Sequence, residues 1–270
     1  MRSDFDEMFA VVTGGTQGLG EATALMMKER GAAGVAIVGR NRARGEAVAE
    51  ALTTSSCRGV FIRADLADVD EVRAVMPAVE AEFGTVHALA NVAALTDRGS
   101  VWNTTPAMWD TMLATNLTAP FFLLQAAADL MERTGVEGPI ATVGSCAGEG
   151  GAPNLLPYSV SKGALQAMTK NAAFSLARHR IRVNLLQLGW MNTPAEHVVQ
   201  VEQEGQPENW LEAAAAAQPF GRLIEVDEAA RALCYLLSAE SGMLTGATID
   251  FDQSVIGAGQ QPVPGPEVRR

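Results

Sequence analysis

Residues 9–20, FAVVTGGTQGLG, lead from a short apolar run into a glycine-rich turn, and a segment of helical period, EATALMMKERG, follows directly. Glycines at 14, 18 and 20 allow the turn to close, the backbone to approach a pyrophosphate, and the helix to pack on the strand. The helix N-terminus then offers free N–H groups and its positive dipole end to phosphates. A turn of this kind between a strand and a helix predicts a dinucleotide-binding site.

Further short apolar runs alternate with segments of helical period along the rest of the chain. Strands that read as continuous apolar runs between helices are typical of a parallel sheet covered on both faces. We therefore predict an α/β fold, a single doubly wound Rossmann-type domain over residues 1–256, with a seven-stranded, mostly parallel sheet and helices on both faces. Residues 257–270 form a Gly/Pro-rich tail, either loose or lying against a neighbouring subunit. The expected strands are 9–12, 35–38, 60–63, 87–91, 140–143, 181–187 and 247–251, and the expected helices are 19–30, 42–53, 68–82, 106–133, 157–178 and 226–240.

Composition excludes several classes of function. The net charge of −11 argues against a nucleic-acid partner, since phosphates require clustered Lys and Arg. The three cysteines are far apart and lack ligand spacing, which predicts a reducing cytoplasm and no metal site. The N-terminal residues lack the apolar core of a signal peptide, and the longest apolar segment, from Phe121, is too short to span a bilayer. No membrane partner is expected.

The second strand ends in VAIVGRN, where the 2′-position of an adenine ribose is read. An acidic residue there accepts from a free hydroxyl, whereas an arginine pairs with a 2′-phosphate. Gly39 stands where the acid is expected, Arg40 follows and Arg42 is close by, so NADP is the preferred cofactor and NAD the alternative. Arg40 could instead stack on the adenine or cap the next helix, and Gln17 in the glycine-rich turn supplies no second positive charge.

Tyr158 and Lys162 are four residues apart, so on a helix both side chains leave the same face. A neighbouring ammonium favours the phenolate and lowers the pKa of a tyrosine, which makes the phenol a usable acid–base group. Ser145 ends an apolar strand and could hold a carbonyl oxygen beside that pair. Taken alone, Tyr158 and Lys162 fit a surface helix better than a catalytic pair.

Together these segments resemble the short-chain dehydrogenase/reductase family, of the classical type, over residues 9–252. The resemblance rests on motifs in a fixed order: T13-G-G-T-Q-G-L-G20, Asp65-Leu66, N91-V-A-A94, Asn116, Ser145, Tyr158 and Lys162.

The resemblance implies a catalytic set of Asn116, Ser145, Tyr158 and Lys162. Tyr158 would be the general acid in reduction and the general base in oxidation, and Ser145 would hydrogen-bond the substrate oxygen. Lys162 would lower the pKa of Tyr158 and bind the nicotinamide ribose. Asn116 would hold a water that links Lys162 to solvent, or would simply be a satisfied polar residue near Pro120.

The cofactor-binding residues are predicted from the glycine-rich turn and from the resemblance. From Asp65, either a contact with adenine or a cap of the next helix is expected. The family's Asn-Asn-Ala-Gly motif appears here with Val92 and Ala94 as substitutions, which makes the nicotinamide pocket less polar. The predicted set is Thr13, Gly14, Thr16, Gln17, Gly18, Leu19, Gly20, Arg40, Asp65, Leu66, Asn91, Ala93, Tyr158, Lys162, Gly189, Trp190 and Thr193.

Residues 190–220, here called the lid segment, are expected to cover the substrate site. Ser145, Tyr158, Trp190 and His197 are the predicted substrate-binding residues, although a surface histidine on a lid helix is the favoured interpretation of His197. Trp102 and Met108 are candidates for another wall.

The function implied is an NAD(P)-dependent oxidoreductase that interconverts a secondary alcohol and a ketone. A sugar- or polyol-like or other small hydroxy compound is the favoured substrate, and a 3-oxoacyl thioester or a steroid-like or cyclic ketone is the alternative. A non-catalytic NADP(H) sensor is the alternative of another class. The family also implies a homo-oligomer, a tetramer or dimer, through helices 106–133 and 157–178.

Overall fold

Seven parallel strands form the central sheet of the computed structural model, which describes residues 4–255. Their order across the sheet is β3-β2-β1-β4-β5-β6-β9, and β1 pairs with both β2 and β4. The chain therefore reverses its direction of winding at β1, and ligands of such sheets bind beyond the carboxyl ends of the strands at that point. The strands are β1 Phe9–Thr13, β2 Gly34–Gly39, β3 Arg58–Arg63, β4 Ala88–Asn91, β5 Pro139–Ser145, β6 Arg182–Leu188 and β9 Thr248–Phe251.

Successive residues of the central strands point into two separate cores, because side chains alternate between the faces of a sheet. Val12 belongs to the core on one face, where Met27 and Leu233 also pack. Val11 belongs to the other, with Val75 and Leu123. Since both faces are apolar, the strands read as continuous hydrophobic runs in the sequence.

Helices cover both faces, and one of them departs from the sequence expectation. Residues 106–133, expected as one helix, contain a π-helical turn at Ala114–Thr118 between α4 and α5. The helices are α1 Gly18–Glu29, α2 Arg42–Leu52, α3 Val69–Phe83, α4 Pro106–Leu113, α5 Ala119–Thr134, α6 Leu156–Leu176, α7 Pro194–Val198, α8 Trp210–Ala216 and α9 Val226–Leu236.

The lid segment is built from short elements at the carboxyl end of the sheet. A two-residue strand, β7 Met191–Asn192, pairs in parallel with β8 Ile224–Glu225 at the segment's far end. Between them lie α7, a π-helical turn at Val199–Gln203, and α8. Trp210, the first residue of α8, is buried, and its ring stacks on that of Trp190 with 5.7 Å between centroids.

The doubly wound fold and all seven predicted strands are confirmed. The predicted tail, 257–270, lies outside the described residues. Within residues 4–255, no helix is both long and apolar enough to cross a membrane.

Candidate active site

The glycine-rich turn between β1 and α1 has the backbone that the sequence predicts. Gly14 and Gly18 have positive φ angles of 68° and 57°, which favour glycine. A Cβ on Gly20 would lie 2.3 Å from the carbonyl oxygen of Gly14, so helix and turn can pack this closely only without a side chain. Gln17 precedes the helix and makes no side-chain capping bond. The first N–H groups of α1 are therefore left for an anion.

A cavity of about 270 Å³, here called the glycine-loop cavity, opens in front of this turn. A Cβ on Gly18 would meet nothing within 4 Å, so the turn faces open space there. The cavity and the uncapped helix end fit the pyrophosphate of a dinucleotide. The predicted cofactor residues that line the cavity are Gly14, Thr16, Gln17, Gly18, Leu19, Gly20, Arg40, Asp65, Leu66, Ala93 and Thr193.

Thr13 and Asn91 are not among the residues that line this cavity; they lie behind it. The hydroxyl of Thr13 accepts hydrogen bonds from the backbone N–H groups of Val92 and Ala93, at 2.9 and 3.1 Å. Asn91 is buried and donates to the carbonyl of Pro120 at 3.3 Å. Both side chains fix the loop after β4 against its neighbours.

Asp65 and Asp68 have separate tasks. Asp68 caps α3, because its carboxylate accepts from the N–H groups of Asp70 and Glu71. The Asp65 carboxylate accepts from the N–H of Ala67 at 3.0 Å and lines the glycine-loop cavity. Of the two expectations for Asp65, the helix cap is wrong and the position toward the cofactor remains.

Arg44, which lies shortly after the end of β2, is a positively charged residue that the sequence prediction missed. Arg40 is exposed and lines the cavity, as predicted. Arg44, one helical turn further on, hydrogen-bonds the Gln17 side chain and lines the adjoining surface with Arg40. Arg44 lies four residues after Arg40, in the first turn of α2, and this spacing could have identified it as a second positive charge at the site.

A second, larger cavity of about 560 Å³, here called the Tyr158 cavity, shares Leu19, Val92, Ala94 and Thr193 with the first. Ser145, at the end of β5, and Tyr158 and Lys162, in the first turns of α6, all line it. The structure thus brings together three of the four predicted catalytic residues beside the glycine-rich turn.

Burial dominates the chemistry of Tyr158. Removal of the phenol from water raises its pKa above the ordinary value, while a hydrogen bond with the Ser145 side chain opposes the rise. The expected lowering of this pKa by Lys162 is wrong for this structure. The Lys162 ammonium is 5.7 Å from the centre of the tyrosine ring and donates instead to the carbonyl of Val143.

Lys162 is a buried charge with one hydrogen-bond partner, a neutral one, among residues 4–255. It is 2 % exposed, and its Nζ donates to the Val143 carbonyl oxygen at 2.8 Å. Burial lowers the pKa of this ammonium from 10.5 to about 8. Lys162 is therefore still protonated at neutral pH, but its pKa lies only slightly above that pH.

Asn116 sits within the π-helical turn and is completely buried. Its side chain accepts from the N–H of Leu95 at 2.8 Å and donates to the Leu95 carbonyl at 2.9 Å. It also donates to Ser161 Oγ at 3.2 Å, which ties the turn to α6 next to Lys162. Asn116 does not line the Tyr158 cavity; its side chain holds the loop after β4 in place.

The lid segment contributes Trp190 and Thr193 to the Tyr158 cavity, and Gly189 lines it just before. A Cβ on Gly189 would lie 1.9 Å from Asp252 Oδ1, so glycine permits a close approach of the two strand ends. His197 does not line the cavity. Its ring nitrogens are engaged by Trp210 Nε1 at 2.9 Å and by Glu208 at 3.2 Å.

Two charged residues of the Tyr158 cavity were missed. Arg98 comes from the loop after β4, where Trp102 and Met108 were the predicted wall residues; Trp102 is exposed and neither lines the cavity. Glu196 comes from α7. No spacing rule links an arginine and a glutamate a hundred residues apart, so only the fold could reveal the pair.

Comparisons with known proteins agree with this geometry. A family model described as enoyl-(acyl carrier protein) reductase matches residues 14–254. The cis-4-hydroxycyclohexanecarboxylate dehydrogenase of Sinomonas cyclohexanicum is 33 % identical over 253 residues, covering 93 % of this chain and 98 % of the relative. The NADP-dependent (R)-specific alcohol dehydrogenase of Lentilactobacillus kefiri is 33 % identical over 246 residues, covering 90 % and 94 %. A solved structure of NAD⁺-bound xylitol dehydrogenase superposes with a TM-score of 0.85 at 26 % identity, covering 92 % and 99 %.

Fold, site and relatives together define the class. The chain belongs to the short-chain dehydrogenase/reductase family. It is an NAD(P)-dependent oxidoreductase that acts on alcohol or carbonyl groups, which confirms the resemblance and the enzyme activity expected from it.

Proposed function

We propose that the Tyr158 cavity binds a secondary alcohol or the corresponding ketone, and that the Tyr158 phenol exchanges a proton with its oxygen. A bound nicotinamide cofactor supplies or accepts the hydride. In reduction the phenol donates its proton as the carbonyl carbon is reduced, and in oxidation the phenolate accepts the hydroxyl proton. Because burial raises the pKa of Tyr158, the phenol is protonated and ready to act as an acid at neutral pH.

The neighbouring side chains have supporting roles. The Ser145 hydroxyl, already hydrogen-bonded with Tyr158, stabilises the developing charge on the substrate oxygen. The Lys162 ammonium binds the cofactor ribose. Asn116 acts as a positioning residue, since it fixes the turn against Ser161 beside Lys162.

The observation that carries this proposal is the continuity of the two cavities. Leu19 and Thr193 line both of them, so a dinucleotide laid along the glycine-rich turn reaches the Ser145–Tyr158 wall. Holding two reactants in such an arrangement supplies a large part of the rate of a hydride transfer.

The proposed substrate is a small hydroxy compound, polyol-like or cyclic. The relatives named for cyclohexane carboxylates and the structural neighbour named for xylitol both act on compounds of this size. A 3-oxoacyl thioester, suggested by the family description, and a steroid, suggested by a relative at 28 % identity, are the alternatives.

The test is a screen of alcohols and ketones with NAD and NADP, monitored by the absorbance of the reduced nicotinamide. We expect turnover of small cyclic or polyhydroxy alcohols. Cofactor binding without turnover of any alcohol or ketone would support the sensor alternative instead.

NADP is the proposed preferred cofactor. Arg40 and Arg44 lie together at the rim of the glycine-loop cavity, where a 2′-phosphate would sit. Gly39 supports the same choice, because a Cβ there would lie 2.7 Å from the Thr16 side-chain methyl. An aspartate that would accept from a free ribose hydroxyl therefore has no room unless Thr16 moves.

A triple variant tests this preference. Thr16→Ser removes the obstructing methyl, Gly39→Asp supplies the acceptor, and Arg40→Ala removes the phosphate partner. We expect the ratio of kcat/KM for NADP to that for NAD to fall by about 10²-fold or more, since charged hydrogen bonds contribute about 1.5–3 kcal/mol each. Arg42→Ala is the control, because Arg42 pairs with Glu46 and lines neither cavity. Preference for NAD in the unmodified protein would contradict the assignment.

A homo-oligomer, tetramer or dimer, is proposed through α5 and α6. Both helices expose apolar side chains, with Phe121 on α5 and with Val160 and Phe174 on α6. We also propose a cytoplasmic location from the three cysteines, each a free thiol.

The oligomer is tested by light scattering of Phe174→Asp. Phe174 is 89 % exposed, and a charge there should oppose burial between subunits and lower the measured mass. Met243→Asp is the matched control, since Met243 is 95 % exposed and lies outside both helices. An unmodified protein of monomeric mass would contradict the proposal.

A further inference from the structure

The outer wall of the Tyr158 cavity carries a charged cluster that none of the proposed chemistry uses. Glu196, on α7, and Arg98, on the loop after β4, both line this cavity. Their side chains are 16 % and 18 % exposed, and Arg98 Nη2 is 3.6 Å from Glu196 Oε1. The two residues come from segments that are distant in the sequence.

The hydrogen bonds of Glu196 are concentrated on one of its two oxygens. Oε1 accepts from Trp190 Nε1 at 2.9 Å and from Gln200 Nε2 at 2.8 Å. Among the described residues, no donor bonds Oε2, and that atom is not one of the buried atoms without a partner. A carboxylate held in place by one oxygen thus offers the other as an acceptor to a molecule in the cavity.

The charge of Arg98 is already matched. Its Nε donates to Glu204 Oε1 at 2.6 Å and its Nη1 to the carbonyl of Thr96 at 3.0 Å. With Glu196 as the second carboxylate, the three side chains carry a net charge of −1. A substrate carboxylate placed here would meet an acceptor that is already charged, which disfavours an anion.

Both charges act on the reacting phenol. Burial is the main cause of the raised pKa of Tyr158, but Glu196 adds to the rise and Arg98 opposes it. Tyr158, Glu196 and Arg98 all line this cavity, so one small molecule can contact both the phenol and the cluster.

We infer that Glu196 determines substrate specificity by accepting a hydrogen bond, through Oε2, from a second hydroxyl of a neutral substrate whose first hydroxyl reacts at Tyr158. The inference rests on the proposed function and narrows its substrate class to diols and polyols. A rigid, charged and partly desolvated carboxylate accepts a stronger hydrogen bond from a hydroxyl than a water molecule accepts. An alcohol without a second hydroxyl leaves Oε2 of Glu196 without that hydrogen bond.

The test compares molecules that share a ring and differ only in the second group: cyclohexanol, the cyclohexanediols, 4-hydroxycyclohexanecarboxylate and 4-aminocyclohexanol. The unmodified protein should use a diol with a kcat/KM at least about tenfold above that for cyclohexanol, the fold-change of one hydrogen bond to a charged group. Binding of each compound to the enzyme–cofactor complex, followed by tryptophan fluorescence, covers compounds that are not turned over.

Glu196→Gln is the informative variant. Its amide oxygen can still accept from Trp190 and Gln200, while an NH₂ group replaces the open acceptor. The diol-to-cyclohexanol ratio should fall about tenfold. Glu202→Gln is the matched control on the same segment, since Glu202 is exposed and does not line the cavity, and it should leave that ratio and the activity unchanged.

The outcomes separate the two proposals. Turnover of cyclohexanol with no preference for any diol, or a ratio unchanged in Glu196→Gln, overturns the inference and leaves the proposed function intact. A preference for the hydroxy acid or the amino alcohol over the diols also overturns it, because the cluster then binds a charged group. Absence of both turnover and binding for every diol overturns the inference as well, and cofactor binding without turnover of any alcohol overturns the proposed function.

Discussion

Tyr158→Phe should lower kcat by about 10³- to 10⁴-fold, because it removes the only group proposed to move the proton. The phenyl ring of the variant keeps the packing of the Tyr158 side chain, which lines the Tyr158 cavity. Cofactor affinity should therefore stay within a few-fold of that of the unmodified protein. Steady-state rates and a fluorescence titration with NADPH measure the two quantities separately.

The matched control is Tyr235→Phe, since Tyr158 and Tyr235 are the two tyrosines of the chain. Tyr235 lies on α9, is exposed and lines neither cavity. This variant should keep the unmodified rate. A Tyr158→Phe enzyme with near-normal turnover would contradict the assignment of the proton-transfer group.

The pH dependence of the same reaction follows from the raised pKa of Tyr158. Burial favours the neutral phenol, so the acid form predominates around neutral pH. Reduction uses that form and should be fastest at neutral or lower pH, whereas oxidation uses the phenolate and should accelerate as the pH rises. Both trends should disappear in the residual activity of Tyr158→Phe.

The residues that the sequence identified are those whose chemistry depends on local spacing. The glycine-rich turn requires three glycines between a strand and a helix, and Gly14 and Gly18 have the positive φ angles that this predicts. Tyr158 and Lys162 need only one helical turn. The strands could be predicted for a similar reason. Burial on both faces of the sheet makes each strand a continuous apolar run in the sequence.

The parts that the sequence did not reveal depend on contacts between distant segments. Arg98 and Glu196 meet in the lining of one cavity, and neither has a local pattern that marks it. His197 has the chemistry of a binding residue, yet Trp210 and Glu208 engage its ring. The spacing of Tyr158 and Lys162 also did not predict where the Lys162 ammonium points, since a nearby backbone carbonyl competes with the phenol for its hydrogen bond.

Lys162→Met should lower kcat by about 10³-fold and, in the same step, make the protein more stable. The loss of activity follows from the proposed role of the ammonium in binding the cofactor ribose, since a misplaced nicotinamide loses its near-attack geometry. The gain in stability follows from burial, because the charge is 2 % exposed and the Val143 carbonyl is its single hydrogen-bond partner within the described part of the chain. Methionine has a similar length and no charge to desolvate.

The expected size of the gain comes from the lowered pKa of Lys162. A fall from 10.5 to about 8 corresponds to about 3 kcal/mol of destabilisation of the charged form in the folded protein. The Val143 carbonyl loses its donor in the variant, which costs about 1 kcal/mol. We therefore expect a net increase of about 1–2 kcal/mol in the free energy of unfolding, measured without cofactor by denaturant titration at pH 7.

The pH at which the gain disappears distinguishes this cause from better packing. Below about pH 8, Lys162 is charged in both the folded and the unfolded protein, so the full burial penalty applies. Between about pH 8 and 10.5 the folded protein releases the proton while the unfolded chain keeps it, and the unmodified protein gains stability relative to the variant. The advantage of Lys162→Met should shrink across this interval and vanish above it. Lys170→Met, an exposed lysine on the same helix, should show no such trend, and a pH-independent gain in Lys162→Met would show that packing, rather than a buried charge, sets the stability of this site.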